Sequence, residues 1–266
     1  MRILVSNDDG ISKEGLHALV DAVTPLGEVW VVAPASEMSG VSHAITLENP
    51  LRASRYEGRE RWIAVTGTPT DCVYLALHHF MKDHPPDLVI SGINHGSNLG
   101  TDAHYSGTVS AAHEGMSNGI PSIAMSLVAS GQSDFSGAAT FARRLVAWVA
   151  EHGLPPGVML NCNVPKNADG RFAICRMGQR RYLGKRVTHR KDPRGRDYFW
   201  IGGTDIHHAG AADSDTAAHD QGLISVMPIR HDLTAHKALA ELGTIRLDGE
   251  APVQLCTASG EISDDR

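Results

Sequence analysis

The chain has 266 residues, of which 42% are hydrophobic and 20% are charged, close to the average for soluble globular proteins. These values exclude a disordered, collagen-like or coiled-coil protein and supply enough apolar material for one large domain or two ordinary ones. The 24 Lys and Arg residues against 30 Asp and Glu residues give a net charge of −6. The chain as a whole therefore does not attract nucleic acid, and we expect no nucleic acid duplex as a partner.

The first 153 residues alternate between predicted strands and predicted helices. Short apolar or β-branched runs predict strands at 2–6, 29–33, 62–65, 88–91 and 122–126. Apolar residues at helical spacing predict helices near 16–23, 68–80, 108–116 and 141–152. The clearest helix start is Thr68-Pro69 with Asp71, which is a capping-box pattern. This alternation predicts an α/β fold with a mostly parallel sheet and right-handed crossovers.

The second half has a different pattern. Weak alternation predicts hairpins over 172–203, an Ala-, His- and Asp-rich stretch predicts an irregular loop over 205–221, and a strand and a short helix are predicted at 223–229 and 232–242. The basic run 179–186 fits either a solvated hairpin or a phosphate-attracting rim. We expect either two domains, 1–130 with the site and 131–266 with the remainder, or one continuous domain.

The sequence predicts a cytoplasmic protein with no membrane partner. Residues 1–9 contain a short apolar run followed by two acids, which is not the pattern of a signal peptide. No apolar run approaches the roughly 20 residues that span a bilayer. Four scattered cysteines without a CxxC pair favour reduced, buried thiols and disfavour a zinc cluster: Cys72, Cys162, Cys175 and Cys256.

Polar loops follow three of the predicted strands, at 7–9, 36–42 and 94–98. Because ligands bind outside the carboxyl ends of parallel strands, these loops predict the site. The adjacent Asp8 and Asp9 repel each other unless a cation or a shared proton neutralises them, so they indicate either a hard-metal site or an acidic capping turn. If Ser39 and Asn94 share the crevice, they complete an all-oxygen donor set that suits Mg²⁺ or Mn²⁺.

The stretch Ser106-Gly107-Thr108 lies at the start of the predicted helix near 108–116. A helix N-terminus with free N–H groups and nearby hydroxyls binds phosphate, and the same residues also make an ordinary helix cap. The chain lacks a Walker A loop, a GxGxxG motif, a GxSxG elbow and an HExxH pair. A dinucleotide dehydrogenase and a serine hydrolase are therefore disfavoured.

Six segments resemble the SurE family of survival-protein nucleotidases. They are ILVSNDDG at 3–10, VVAPASEMSG at 31–40, TGTPTDCV at 66–73, SGINHGSNLGTDAHYSGTVSAAHEG at 91–115, IPSIAMS at 120–126 and GLISVMPIRHDL at 222–233. The resemblance extends from the first residues to about residue 240. It implies a Rossmann-like core with a C-terminal hairpin and helix extension that is used for assembly as a homodimer or homotetramer.

The resemblance also implies a metal-dependent phosphomonoesterase that hydrolyses nucleoside 5′- or 3′-monophosphates through a metal-activated water. The resemblance implies that Asp8, Asp9, Ser39 and Asn94 bind one divalent cation, Mg²⁺ or Mn²⁺. It also implies that Asn98, Ser106 and Thr108 contact the phosphate, with Gly107 at the helix N-terminus between the last two. We also expect one of the two aspartates to accept the proton of the water. A non-catalytic metal-dependent nucleotide-binding or sensing protein stays open as the alternative, because a Rossmann-like core serves both.

Overall fold

The computed structural model describes residues 1–129, 131, 133–184, 187–202, 205–247, 250, 252 and 253. Their contacts divide the chain into two units, Met1–His231 and Asp232–Arg266. The division expected near residue 130 stays a prediction. In the described ranges, no helix is both long and apolar enough to cross a membrane.

A nine-stranded sheet forms the centre of the first unit. The strands described in that unit are β1 (Arg2–Ser6), β2 (Glu28–Pro34), β3 (Ala53–Arg55), β4 (Trp62–Val65), β5 (Leu88–His95), β6 (Ser122–Val128), β7 (Val158–Pro165), β8 (Phe172–Ile174), β9 (Gln179–Leu183), β10 (Val187–Lys191), β11 (Asp197–Ile201), β12 (Asp205–Ala209) and β13 (Ile224–Arg230). The sheet has the order β3-β4-β2-β1-β5-β6-β7-β13-β8, and within it only the β3–β4 and β7–β13 pairings are antiparallel. The predicted mostly parallel sheet is confirmed.

Helices cover both faces of this sheet. The described helices are α1 (Glu14–Val23), α2 (Pro69–Leu75), α3 (Gly107–Ser117), α4 (Ser136–His152) and α5 (Asp215–Asp220) in the first unit, and α6 (His236–Leu242) in the second. Alternate residues of a strand point to opposite faces. Accordingly, Ile3 and Val5 pack into the core cluster under α1 and α4, whereas Leu4 packs into the cluster under α2.

Local sequence explains where α2 begins. The Thr68 hydroxyl accepts a hydrogen bond from the backbone N–H of Asp71 at 3.1 Å. The Asp71 carboxylate accepts one from the backbone N–H of Thr68 at 2.9 Å, which completes the predicted capping box. The same carboxylate accepts hydrogen bonds from the backbone and side chain of Thr46, so this cap also fixes the loop that follows β2.

The order of the strands opens a crevice in the middle of the sheet. From β1 the chain adds β2 and β4 on one side, and it adds β5, β6 and β7 on the other. Such a switch point separates the connections that leave the carboxyl ends of the two central strands, and ligands bind there. The loop after β1 and the end of β5 border this crevice.

The second half differs from the sequence-based prediction in two places. The irregular loop predicted over 205–221 is wrong, because β12 pairs with β9 and the Ser214 hydroxyl caps α5 by accepting a hydrogen bond from Ala217 N at 3.3 Å. The sequence also predicts no strand over β7, although this strand lies inside the sheet. The hairpins predicted over 172–203 are confirmed in part by the antiparallel β10–β11 pair. Helix α6 begins at His236, four residues after the predicted start.

Candidate functional site at the carboxyl ends of the strands

The paired aspartates lie in a tight turn directly after β1. The Asn7 side chain donates a hydrogen bond to the Gly10 carbonyl at 2.9 Å and accepts one from the Gly10 N–H at 3.3 Å. Gly10 has a φ of +110°, a conformation that residues with a side chain rarely adopt. The turn directs the two neighbouring carboxylates into two adjacent clefts, with Asp8 in one and Asp9 in the other.

Asp8 is buried against the N-terminus of α3. Its Oδ1 accepts a hydrogen bond from the Thr108 hydroxyl, and its carbonyl accepts one from Met38 N at 2.8 Å. Gly107 packs so closely that a Cβ atom there would lie 2.7 Å from the Cβ atom of Asp8. Burial raises the pKa of Asp8 to about 6, with a contribution from the charge of Asp9 and opposition from the Thr108 hydrogen bond.

Asp9 lies beside the other two predicted metal ligands. Its Oδ2 accepts a hydrogen bond from His95 N at 3.2 Å, and burial raises its pKa. The Asn94 amide nitrogen donates to the Gly96 carbonyl at 3.0 Å, which directs the donor end of that side chain to the backbone and leaves its oxygen available. Ser39 lines both clefts, and its hydroxyl donates to Glu37 at 3.1 Å.

A shift in strand register accompanies the placement of Asn94. The β5–β6 pairing is regular up to Ser91 and resumes at Asn94 with a different register. Irregularities of this kind re-aim side chains and are common next to active sites. The extra backbone turns Asn94 away from the regular alternation of β5, so that it lines the same cleft as Asp9 and Ser39.

Two of the predicted phosphate contacts, Asn98 and Ser106, line the larger cleft, which has a volume of about 950 Å³. Ser106 caps α3 by accepting a hydrogen bond from Val109 N at 3.1 Å, so its hydroxyl proton is available to a ligand. Asn98 donates one amide hydrogen to Ser126 at 2.8 Å and has a second to donate. Both residues line the cleft together with Asp8, whereas the Thr108 hydroxyl is directed to Asp8 itself.

A buried polar network from later in the chain supports the loop that carries Asn98. The Asn163 side chain accepts a hydrogen bond from Asn98 N at 2.7 Å, and the Asn161 side chain donates to the Asn98 carbonyl at 2.8 Å. The Asp215 carboxylate accepts hydrogen bonds from Gly100 N at 2.7 Å and from Gly178 N at 2.8 Å. Sequence analysis missed these three supporting residues, although two asparagines at strand spacing in an apolar run were a signal for the first pair.

The basic run in the first strand of the predicted hairpin lies at the cleft. Arg180 and Arg181 both line the cavity that contains Asp8. The Arg180 side chain is only 10% exposed and forms an ion pair with Asp102. Of the two interpretations of this run, the position at the rim of the site is therefore the one that the structure supports for these two arginines.

The donor set fits a hard divalent cation. Carboxylate, hydroxyl and amide oxygens are the ligands that Mg²⁺ and Mn²⁺ prefer, and two adjacent, largely buried carboxylates need a compensating positive charge. The neighbouring Lys13 ammonium pairs with Glu37 instead. No cluster of three or more His, Cys, Asp or Glu side chains in the described part of the chain is arranged to hold a metal ion. A cation here would therefore need Ser39 and Asn94 in addition to the aspartates.

Removing the Asp8 charge is expected to stabilise the metal-free protein more at pH 8 than at pH 4. The native pKa of about 6 lies above the ordinary value of 3.8, so ionising Asp8 costs native-state stability. That cost is absent below pH 3.8, grows between pH 3.8 and about 6, and is complete above, where it reaches about 3 kcal/mol. Urea unfolding of Asp8→Asn and wild type in EDTA measures the change in the stability gap between the two pH values.

The control for this measurement is Asp21→Asn, which changes an exposed carboxylate on α1. It makes the same chemical change without burial, so its stability gap to wild type shows how much of the Asp8→Asn effect comes from burial. If the difference in unfolding free energy between Asp8→Asn and wild type were no larger at pH 8 than at pH 4, Asp8 would ionise without a cost in the native protein.

Comparisons with known proteins agree with the fold. The sequence pattern of the family described as Survival protein SurE matches residues 3–184. The 5′-nucleotidase SurE of Myxococcus xanthus is 51% identical over 250 residues, which cover 93% of this chain and 94% of that protein. The 5′-nucleotidase SurE of Geotalea daltonii is 47% identical over 246 residues, which cover 91% and 98%.

A solved structure gives the same result. The crystal structure of the SurE protein from Aquifex aeolicus superimposes with a TM-score of 0.78 at 37% identity, covering 91% of this chain and 98% of that chain. The resemblance of the six sequence segments is thereby confirmed over most of the chain. The chain belongs to the SurE family.

Proposed function

We propose that the protein is a 5′-nucleotidase, a metal-dependent hydrolase that converts nucleoside 5′-monophosphates to nucleoside and phosphate. The observation that carries the proposal is the convergence of Asp8, Asn98 and Ser106 on one cleft at the switch point of the sheet. Its relatives at 47–51% identity are named 5′-nucleotidases, and the match covers more than nine-tenths of each chain. Nucleoside 3′-monophosphates form a second proposed substrate class.

The four oxygen ligands are assigned to the cation in this proposal. When bound at Asp8, Asp9, Ser39 and Asn94, one Mg²⁺ or Mn²⁺ supplies neutralising charge and lowers the pKa of water. The carboxylates hold their positions without it, because the Thr108 hydroxyl orients Asp8 and the His95 N–H orients Asp9.

The N-terminus of α3 receives the phosphate. Ser106 and Asn98 each have a hydrogen to donate into the cleft, and the first N–H groups of the helix add donors and the positive end of its dipole. These groups stabilise the negative charge that develops on the equatorial oxygens during transfer. Either Asp8 or Asp9 accepts the proton of the attacking water.

Phosphate release from AMP tests this function. The protein is stripped with EDTA and then assayed with no metal, with Mg²⁺ and with Mn²⁺, on AMP and on 3′-AMP. We expect release only with a divalent cation, because charge neutralisation is required before an anionic phosphate approaches two carboxylates. Nucleotide binding without phosphate release under any metal would instead support the non-catalytic binding or sensing protein.

The proposal extends to assembly and location. We propose a homodimer or homotetramer in the cytoplasm, with the metal and phosphate site carried by residues 1–130. The β10–β11 hairpin exposes two large apolar side chains that suit contact with a second copy: Phe199 and Trp200. Cys72, Cys162 and Cys175 are free and buried, as expected in a reducing compartment. Sedimentation velocity measures the oligomeric state directly.

A further inference from the structure

Asp102 connects the helical turn before α3 to strand β9. Its Oδ2 accepts a hydrogen bond from Arg180 Nη1 at 2.7 Å and a second one from the Tyr182 hydroxyl. Arg180 Nη1 also donates to Ser97 Oγ at 2.8 Å, on the loop that leads to Asn98. One carboxylate and one guanidinium therefore bind β9 to the segment that carries the phosphate contacts.

The alternation of β9 makes this double contact possible. Arg180 and Tyr182 are two residues apart, so they share the face of the strand that meets Asp102. Burial and the hydrogen bond to Asp102 raise the pKa of Tyr182 to about 12, so its hydroxyl remains a donor at neutral pH. The Arg180 guanidinium lies 5.8 Å from the centre of the Tyr182 ring, within the range of a cation–π contact.

Water has little access to these hydrogen bonds and so cannot readily replace them. The side chains of Asp102 and Arg180 are 17% and 10% exposed. Charge-assisted hydrogen bonds of this kind are about twice as strong as neutral ones, and removing one partner leaves the other charge poorly solvated. Arg180 Nε already lacks a hydrogen-bond partner among the residues that the structure describes. The guanidinium thus depends on Asp102 and Ser97 for its position.

Different elements line the cleft. Asp8, Asn98 and Ser106 line it beside the N-terminus of α3, whereas β9 lines it with residues 180–183. Tyr105, which is 68% exposed, borders the same space. A nucleotide whose phosphate lies at α3 extends its nucleoside toward the wall that β9 forms.

We propose that Asp102 is a positioning residue that determines specificity, because it holds β9 through Arg180 and Tyr182 and so places the cleft wall that contacts the nucleoside. The inference rests on the proposed nucleotidase function. A phosphate ester with no ribose or base is expected to depend less on this wall, because the Arg180 guanidinium is already bound by Ser97 and Asp102. The linkage therefore favours nucleotides over simple phosphate esters.

The test compares kcat and KM for AMP and for p-nitrophenyl phosphate in wild type, Asp102→Asn and Tyr182→Phe. A displaced wall is expected to raise KM for AMP about tenfold or more in Asp102→Asn, with a smaller rise of the same kind in Tyr182→Phe. The kinetic constants for p-nitrophenyl phosphate are expected to stay within about twofold of wild type, because that substrate does not use the wall. The ratio of kcat/KM values for the two substrates is the readout.

The matched control is Asp197→Asn, which removes an exposed hairpin carboxylate that pairs with His189 at 2.7 Å and does not line the cleft. It is expected to leave the substrate ratio unchanged. Parallel losses on both substrates in the Asp102 and Tyr182 variants, or no loss on either, would overturn the positioning role. If Asp102→Asn does not fold, Tyr182→Phe decides, because it removes a single oxygen atom.

The two proposals fail in different ways. Wild type that releases phosphate from neither substrate, with any divalent cation, overturns the nucleotidase function and this inference with it. Wild type that is active on both, with a substrate ratio that the Asp102 and Tyr182 variants leave unchanged, overturns the specificity role alone.

Discussion

Asp9→Asn is expected to lower kcat on AMP by about 10³-fold while leaving the fold intact, since a lost metal ligand removes several kcal/mol of transition-state stabilisation. Asparagine has nearly the same shape as aspartate and keeps an oxygen to accept the hydrogen bond from His95 N. What it lacks is the negative charge that a divalent cation needs. Steady-state rates at saturating Mg²⁺ or Mn²⁺, together with thermal unfolding, separate this effect from misfolding.

Asp21→Asn is the matched control for this substitution, because it makes the same chemical change at an exposed position on α1. Its kcat is expected to stay within about twofold of wild type, as for most surface substitutions. Near-normal turnover of Asp9→Asn at saturating metal would remove Asp9 from the mechanism and leave Asp8 as the only carboxylate ligand of the proposal.

Gly107→Ala is expected to lower kcat/KM for AMP by about 10²-fold, because it displaces Asp8 from the position in which Thr108 holds it. The added methyl group would lie 2.7 Å from Asp8 Cβ, closer than real Cβ contacts allow, and 3.0 Å from Pro69 Cγ, tighter than nine in ten of them. The strain is expected to destabilise the protein by about 1–3 kcal/mol, as in other overpacked sites. Kinetics and urea unfolding of the same preparation measure both effects.

Gly137→Ala is the control for the glycine change, because Gly137 lies in the first turn of α4 with no atom within 4 Å of the added group. There, alanine is expected to stabilise the helix slightly and leave activity unchanged. Wild-type activity in Gly107→Ala would mean that the carboxylate of Asp8 has freedom to move without loss of function.

The parts of the fold that local sequence determines were predictable. The capping box at Thr68 and Asp71 depends only on residues three apart, and the structure has both of its hydrogen bonds. The apolar run of β1 followed by Asn7, Asp8 and Asp9 predicted a strand that ends in a polar turn, and that is what the structure contains. For these elements, the local signals in the sequence, a helix cap and an apolar run that ends in a polar turn, were sufficient for the prediction.

Elements that depend on distant partners were not predictable in the same way. β7 was missed because Asn161 and Asn163 interrupt its apolar pattern, and the hydrogen bonds of both side chains go to the backbone of Asn98. β12 was interpreted as loop because its exposed residues carry no apolar alternation, and its hydrogen bonds come from β9. In both cases the stabilising partner is supplied by tertiary structure, which overrides local preference.

The candidate site likewise has a part that local sequence predicts and a part that depends on distant residues. The loops at 7–9 and 94–98 and the start of α3 were predicted to share one crevice, and residues from all three line the two adjacent clefts. The residues that support the site could not be predicted from the sequence. The Asp215 carboxylate accepts a hydrogen bond from Gly100 N, 115 positions away in the chain, and the Arg180 guanidinium donates one to Asp102, 78 positions away. No local pattern indicates which buried acid faces which backbone amide, so these partners were visible only in three dimensions.

The buried network around Asn98 joins residues that the ribosome synthesises at different times. Asn163, Arg180 and Asp215 all follow the loop that they hold, the last by 115 positions from Gly100. A nascent chain that has emerged only as far as α3 contains every proposed ligand and donor, but nothing yet satisfies the amides of Asn98 and Gly100. The last of these contacts can therefore form only after α5 has been made, although every proposed ligand and donor lies in the first 108 residues.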